Sequence, residues 1–248
     1  VDCIRGHSSS IGCIDVGKKK DDATSTMMAS GDWDGNICIW NLQPNNGDMN
    51  DYNDTTISKK QKSTHGEQIA SKSKAITPVC CFQGHSTQVS GILWRQQQDD
   101  RDLMTCSWDH CIKLWNVETQ ECAMTLNGSR VVTCMTNGGE NGVATGHADC
   151  TMQLWDVRTH ANQPSNTFTK FKPSHEGWIT AIQWISPHQL ATTSHDGTLK
   201  LWDIRTSLPI HTKRVQPKEE KCLCMEYDPN DNVIYTGGTD CTVKRYKL

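Results

Sequence analysis

Met104-Thr-Cys-Ser-Trp-Asp109-His-Cys-Ile-Lys-Leu-Trp115 decides the reading of this chain. A tight Asp-containing turn stands between two short runs that alternate apolar and polar residues, which is the pattern of two strands joined by a hairpin. The pattern recurs. The first copy is Met28-Ala-Ser-Gly-Asp-Trp-Asp34-Gly-Asn-Ile-Cys-Ile-Trp40, and the third is Val143-Ala-Thr-Gly-His-Ala-Asp149-Cys-Thr-Met-Gln-Leu-Trp155. Leu190-Ala-Thr-Thr-Ser-His-Asp196-Gly-Thr-Leu-Lys-Leu-Trp202 and Ile234-Tyr-Thr-Gly-Gly-Thr-Asp240-Cys-Thr-Val-Lys-Arg-Tyr246 complete the set. In all five an Asp stands six residues before a terminal aromatic. A hydroxyl stands four before that Asp: Ser30, Thr105, Thr145, Thr192 and Thr236.

The steps from Trp115 to Trp155, Trp202 and Tyr246 are 40, 47 and 44 residues. Gly6-His7, Gly84-His85 and Ser174-His175 precede three of the copies. This is the WD-repeat signature, and its period of ~40–45 residues with four strands per unit predicts an all-β WD40 β-propeller. One four-stranded blade cannot bury both faces alone, so blades stack around an axis. Repeats are placed at about residues 6–41, 84–116, 128–156, 174–203 and 218–246. Val1 to Arg5 reads as an outer strand, and the chain ends on a third strand. Five visible repeats and a start at Val1 rather than Met are read as a fragment of a seven-bladed ring.

Trp40 to Trp115 is 75 residues, roughly 30 more than one repeat requires. The surplus at residues 42–77 contains Gln43-Pro-Asn-Asn-Gly-Asp48, Ser58-Lys-Lys-Gln-Lys-Ser63 and Ser71-Lys-Ser-Lys74. Its polarity predicts a disordered insertion. Lys59-Lys60-Gln61-Lys62 reads either as a nuclear import signal or as a solvated basic loop.

His7, Ser30, Asp34 and Trp40 imitate a hydrolase triad, as do His85, Thr105, Asp109 and Trp115, and His175, Thr192, Asp196 and Trp202. Catalysis needs one site with an oxyanion hole and a cleft, not three copies. The expectation is a buried structural tetrad in which indole, hydroxyl, imidazole and carboxylate are linked in series. The third repeat has Asn127-Gly-Ser where Gly-His belongs, and the fifth lacks the His and carries Tyr246. Those two blades are expected to rely on packing.

The composition excludes other classes. Apolar residues are 35 %, and 25 basic against 28 acidic residues give a net charge of −3. Mean hydropathy is −0.62. Strong direct nucleic-acid binding needs a basic excess, and no apolar run approaches the ~20 residues that cross a bilayer. The 13 cysteines show no zinc-ribbon spacing and read as free core thiols in a reducing compartment. Gly138-Gly-Glu-Asn-Gly142 lacks the Lys-Ser or Lys-Thr of a phosphate loop and reads as a hairpin turn. No catalytic residue, metal site or cofactor is predicted.

Nine of the 16 aromatic residues are Trp. Trp40, Trp115, Trp155 and Trp202 are the repeat positions, and Trp94 and Trp184 end first strands. Trp33, Trp108 and Trp178 remain, on the rim that also carries Arg130 and His195. Exposed Trp with Arg and His is the composition of a protein-interaction hot spot, and these five residues are the candidate interface, the alternative being that Trp33 and Trp108 pack sideways on neighbouring blades.

Ser107-Trp-Asp-His-Cys-Ile-Lys-Leu-Trp-Asn-Val-Glu-Thr119, Ser174-His-Glu-Gly-Trp-Ile-Thr-Ala-Ile-Gln-Trp184, Gly237-Gly-Thr-Asp240 and the insertion ending in Thr77-Pro-Val79 resemble the WD repeat-containing protein 12 family. The resemblance covers essentially the whole chain. It implies a non-enzymatic scaffold for the large ribosomal subunit, acting in the PeBoW complex with pescadillo and block-of-proliferation proteins on pre-60S particles. It further implies a role in processing the precursor of 28S and 5.8S rRNA, in nucleus, nucleolus and nucleoplasm. The family's ubiquitin-like domain, which docks a remodelling ATPase, has no counterpart in these residues. The alternative is a substrate receptor of a cullin-RING ubiquitin ligase, which the boxes Trp155-Asp-Val-Arg158 and Trp202-Asp-Ile-Arg205 resemble.

Overall fold

The computed structural model describes residues 6–19, 22–42, 77–95, 103–138, 142–157, 167–171, 174–206 and 208–248. These form 19 strands in five antiparallel sheets, with no helix among the described residues. The sheets are successive blades of a partial β-propeller. Blade 1 holds β1 (Ile11–Lys19), β2 (Asp22–Asp32), β3 (Asn36–Asn41) and β4 (Cys80–Gln83). Blade 2 holds β5 (Val89–Trp94), β6 (Leu103–Ser107), β7 (Cys111–Asn116) and β8 (Glu121–Asn127). Blade 3 holds β9 (Val132–Asn137), β10 (Val143–His147), β11 (Met152–Trp155) and β12 (Thr167–Phe171). Blade 4 holds β13 (Ile179–Ser186), β14 (Gln189–Ser194), β15 (Thr198–Asp203) and β16 (Pro209–Arg214). Blade 5 has three strands: β17 (Cys222–Asp228), β18 (Val233–Gly238) and β19 (Val243–Lys247). Each sequence repeat therefore begins on the outer strand of one blade and continues into the next. The expected outer strand at Val1–Arg5, the insertion core at residues 43–76 and Arg158 lie outside the described residues.

The seams between blades are the core. Ile37 and Ile39 of blade 1 meet Ile92, Leu103 and Trp115 of blade 2, and Met104, Ile112 and Leu114 meet Met135, Val143 and Trp155. Met152 and Leu154 meet Ile179, Ile182 and Trp202, and Ala191 and Leu199 meet Cys222, Met225 and Ile234. Strands β6 and β10 are buried on both faces, so the polar residues Thr105, Ser107, Thr145 and His147 are buried along with the apolar ones. Among the described residues, blade 1 presents one face without a neighbouring blade. There Ile14 is 56 % exposed, whereas the corresponding Ile92 and Ile182 are 4 % and 5 % exposed.

A Cys/Gly pair recurs between the first two strands of blades 1, 2, 3 and 5, where blade 4 has Ala181 opposite Thr193. Cys13 registers with Gly31, Gly91 with Cys106, Cys134 with Gly146 and Cys224 with Gly237. A Cβ at Gly31 would lie 2.6 Å from the Val89 side chain, and one at Gly146 would lie 2.5 Å from Ile179. Only glycine allows these approaches, and cysteine is the small apolar partner beside it. Burial pushes the Cys13 and Cys134 thiols up to about 12 and the Cys106 thiol higher still.

The expectation that all cysteines are free is corrected. Cys38 and Cys81 form a disulfide. They are 43 residues apart but directly opposed across β3 and β4, and that register is what brings the sulfurs together.

Candidate functional site

The tetrads sit at the seams. In blade 2, Trp115 Nε1 donates to Thr105 Oγ1 at 2.9 Å. His85 Nε2 is 2.7 Å from that hydroxyl, and His85 Nδ1 is 2.8 Å from Asp109 Oδ2. Blade 4 repeats the chain with Trp202, Thr192, His175 and Asp196 at 2.8, 2.8 and 2.9 Å. Burial lowers the pKa of His85 and His175, partly offset by their Asp partners. A neutral imidazole that donates from Nδ1 to carboxylate must accept at Nε2, so the hydroxyl donates to it. The indole, hydroxyl and imidazole polar atoms of these two tetrads are thereby all paired. The hydroxyls are buried with both neighbours in place, so neither Thr105 nor Thr192 is open to a substrate.

Blade 1 requires a correction. The carboxylate facing His7 is Asp32, not Asp34. His7 Nδ1 lies 2.9 Å from Asp32 Oδ2, His7 Nε2 lies 2.6 Å from Ser30 Oγ, and Trp40 Nε1 donates to Ser30 Oγ at 2.8 Å. Asp32 also accepts from the backbone N–H groups of Asp34 and Asn36. Asp34 itself is exposed.

Blade 3 is less deficient than its missing loop His implies. His147, on β10 itself, brings Nε2 to 2.9 Å from Thr145 Oγ1, which accepts from Trp155 Nε1 at 2.7 Å. In blade 5, Gln216 stands where His85 stands in blade 2: both backbone N–H groups donate to the turn glycine carbonyl of the preceding blade, Gly197 and Gly35. Thr236 Oγ1 and Gln216 Nε2 are buried without a hydrogen-bond partner among the described residues.

The candidate interface residues occupy one rim. Trp33 is 55 %, Trp108 39 % and Trp178 44 % exposed. The structure brings three of the five together. Trp108 and Trp178 meet edge to face with centroids 6.1 Å apart, and His195 stacks on Trp178 at 5.8 Å. Burial, reinforced by Lys221, lowers the His195 pKa, which favours the neutral ring. Arg130 extends over the rim and pairs with Asp149 at 3.2 Å. Among the described residues no ring contact joins Trp33 to this cluster. The contact between Trp108 of blade 2 and Trp178 at the entry to blade 4 was not legible in the sequence, since it depends on how blades pack. On the opposite rim Arg205 Nε donates to Asp203 Oδ1 at 2.9 Å.

The repeats, the blades and the tetrads define a WD-repeat propeller, and the chain belongs to the family described as WD domain, G-beta repeat, which matches residues 1–41, 76–116, 120–156, 163–203 and 206–247. Among curated proteins, it is 30 % identical over 246 residues to "Ribosome biogenesis protein WDR12 homolog" of Nematostella vectensis, covering 97 % of this chain and 55 % of that protein. It is also 30 % identical over 244 residues to the protein of that name from Oryza sativa subsp. japonica, covering 96 % and 51 %. The Ixodes scapularis protein is 29 % identical over 255 residues, covering 100 % and 55 %. The chain thus spans about half the length of the curated relatives it matches.

Proposed function

We propose that this propeller is a non-enzymatic scaffold in large ribosomal subunit biogenesis that binds a partner protein through the rim carrying Trp108, Trp178 and His195. The names of the relatives support the ribosomal role. The observation that carries the binding surface is the joined cluster of two half-exposed indoles and an imidazole. Rings that brace one another lose little freedom on binding, and Trp is the residue type that most often dominates interface energy. Trp33 and Arg130 extend the same surface. The partners in this reading are pescadillo and block-of-proliferation proteins on pre-60S particles. The location is nuclear, nucleolar and nucleoplasmic, and the step is maturation of the 28S and 5.8S rRNA precursor. The ligase-receptor alternative finds no favouring observation, because Arg205 is engaged by its own Asp203.

Trp108→Ala combined with Trp178→Ala should abolish co-purification with the block-of-proliferation partner while circular dichroism stays unchanged. An anchor residue contributes at least ~2 kcal/mol, about thirtyfold in affinity. Arg205→Ala on the opposite rim is the control. Loss of the complex in the arginine variant alone would place the interface on the other face.

A further inference from the structure

Blade 1 differs from its neighbours at one sheet position. In blades 2, 4 and 5 that position holds Lys113, Lys200 and Lys244, whose ammonium groups donate to the carbonyls of Gly84, Ser174 and Val215. In blade 1 it holds Cys38. A cleft of about 260 Å³ lies at this place, lined by His7, Asp32, Asn36, Cys38 and Cys81 among others. Cys81 is exposed at its mouth, and Cys38 is buried within. Cys38 Sγ is 3.8 Å from His7 Nδ1.

The two sulfurs also bracket the longest connection between a third and an outer strand among the described strands. From β3 to β4 the chain runs from Asn41 to Cys80, whereas β7 to β8 runs from Asn116 to Glu121. Closing a longer loop costs more entropy, so β4 is the outer strand that gains most from a covalent tie. β4 has four residues. It leads directly into His85, and its Phe82 packs on Trp115 with centroids 5.0 Å apart. What holds β4 therefore also holds the tetrad of blade 2.

We propose that Cys38–Cys81 is a thiol-exchange site for small or protein thiols, and that its state controls the docking of β4 at the seam of blades 1 and 2. An external thiolate attacks the exposed Cys81 Sγ, and the bond to Cys38 breaks. The departing Cys38 thiolate takes a proton from water. A second external thiolate attacks the outer sulfur of the mixed disulfide and releases Cys81, which is protonated in turn. Two external thiols become one disulfide, and the protein disulfide becomes two thiols, with two electrons transferred. Cys80 does not compete, because it registers with Ile39 on the other face of the sheet and packs into the seam with blade 2. Burial also pushes its thiol pKa up. A reducing compartment opens the latch, and oxidation closes it.

The 248-residue protein is equilibrated in glutathione buffers of graded ratio, alkylated and mapped by peptide mass. Cys38 and Cys81 should be blocked together in oxidising buffer and alkylated together in reducing buffer. Cys38→Ser should carry glutathione on Cys81 at least tenfold more than Cys81→Ser carries it on Cys38. Amide hydrogen exchange of residues 80–83 should speed at least tenfold on reduction of the unmodified protein, with β13 to β15 unchanged. Full alkylation of both cysteines at every ratio, equal trapping on Cys38 and Cys81, or identical exchange of β4 in the two states would each overturn the proposal.

Discussion

His147 Nε2 and Thr145 Oγ1 meet at 2.9 Å from two positions on one strand. Blade 3 has thus moved the imidazole from the entry loop onto β10, where its Nδ1 lies 3.2 Å from the Val131 carbonyl instead of a carboxylate. The indole of Trp155 still finds a satisfied hydroxyl. His147→Ala should cost ~1–3 kcal/mol, the penalty for stranding a buried hydroxyl and leaving a gap. Asp149→Ala should cost under ~1 kcal/mol, since that carboxylate is partly exposed and pairs with the exposed Arg130. Urea denaturation of the two variants checks the order, and a reversed order would show that Asp149, not His147, anchors the blade.

The exchange of Asp34 for Asp32 shows what the repeat pattern can and cannot give. Two positions before the turn Asp, blades 2 and 4 carry Ser107 and Ser194, whose hydroxyls accept from the Asp backbone N–H. Blade 1 carries Asp32 there, and one carboxylate does both tasks: it caps the turn and receives His7. Spacing alone cannot choose between two Asp residues in one turn. The blades, the seams and the tetrads of blades 2 and 4 were legible because they repeat at fixed intervals. The Cys/Gly pairs and the Cys38–Cys81 bond were not. Each joins different strands and becomes visible only with register, as when Cys13 meets Gly31 but Gly91 meets Cys106.

Asp32→Ala and Asp109→Ala should each cost at least ~3 kcal/mol, because removal leaves a buried imidazole N–H and turn amides unpaired. Asp34→Ala should stay within about 0.5 kcal/mol, as expected for an exposed turn residue. Asp240→Ala should cost less than Asp109→Ala, since Asp240 accepts only from Thr242 and Lys244 near the surface. Thermal melts of the four variants provide the measurement, and equal shifts for Asp32 and Asp34 would reject the assignment in blade 1.

The seam glycines should be intolerant in a distinctive way. Gly146→Ala forces its methyl into Ile179 and Cys134, both part of the packed seam of blades 3 and 4. Overpacking typically costs ~1–3 kcal/mol. Gly146→Ala combined with Ile179→Val should recover part of that loss if the cause is volume. Recovery absent from the double variant would point to backbone conformation instead.

Stability should fall on acidification in two stages. Burial holds the folded-state pKa of His85 and His175 below the ordinary 6.5, even though their Asp partners pull upward. The unfolded chain therefore binds these protons first. Their contribution is fully present above pH ~6.5 and is lost as pH falls below it. For Asp109 and Asp196, burial pushes the pKa up. His85 and His175, together with the hydroxyl and backbone donors, outweigh it, and both carboxyls end lowered. Their contribution is present above pH ~4 and declines below that value. Melting temperature between pH 7.5 and pH 3 should show both steps, and His85→Gln should shrink the first. A melting temperature flat from pH 7.5 to pH 5 would mean that these imidazoles are not held neutral.

Blade 5 offers a gain rather than a loss. Thr236 Oγ1 is buried with no partner, at the position where Thr105, Thr145 and Thr192 each accept an indole N–H. Tyr246 stands where those blades have Trp, and its hydroxyl reaches the Val215 carbonyl at 3.4 Å, a weak contact. Lys213 also rests over the Tyr246 ring at 4.5 Å, and an indole preserves that cation–π contact. Tyr246→Trp should therefore give Thr236 its donor and raise stability by ~1 kcal/mol. Adding Gln216→His should supply the imidazole, removing the unpartnered Gln216 Nε2 and leaving Asp240 as the candidate acceptor. The double variant should exceed the sum of the two single changes, because indole, Thr236 hydroxyl and imidazole then form one linked hydrogen-bond chain. Urea melts of the parent, both singles and the double measure that coupling. A destabilised Tyr246→Trp would show that blade 5 is shaped around tyrosine and that its unpaired hydroxyl is the lesser cost.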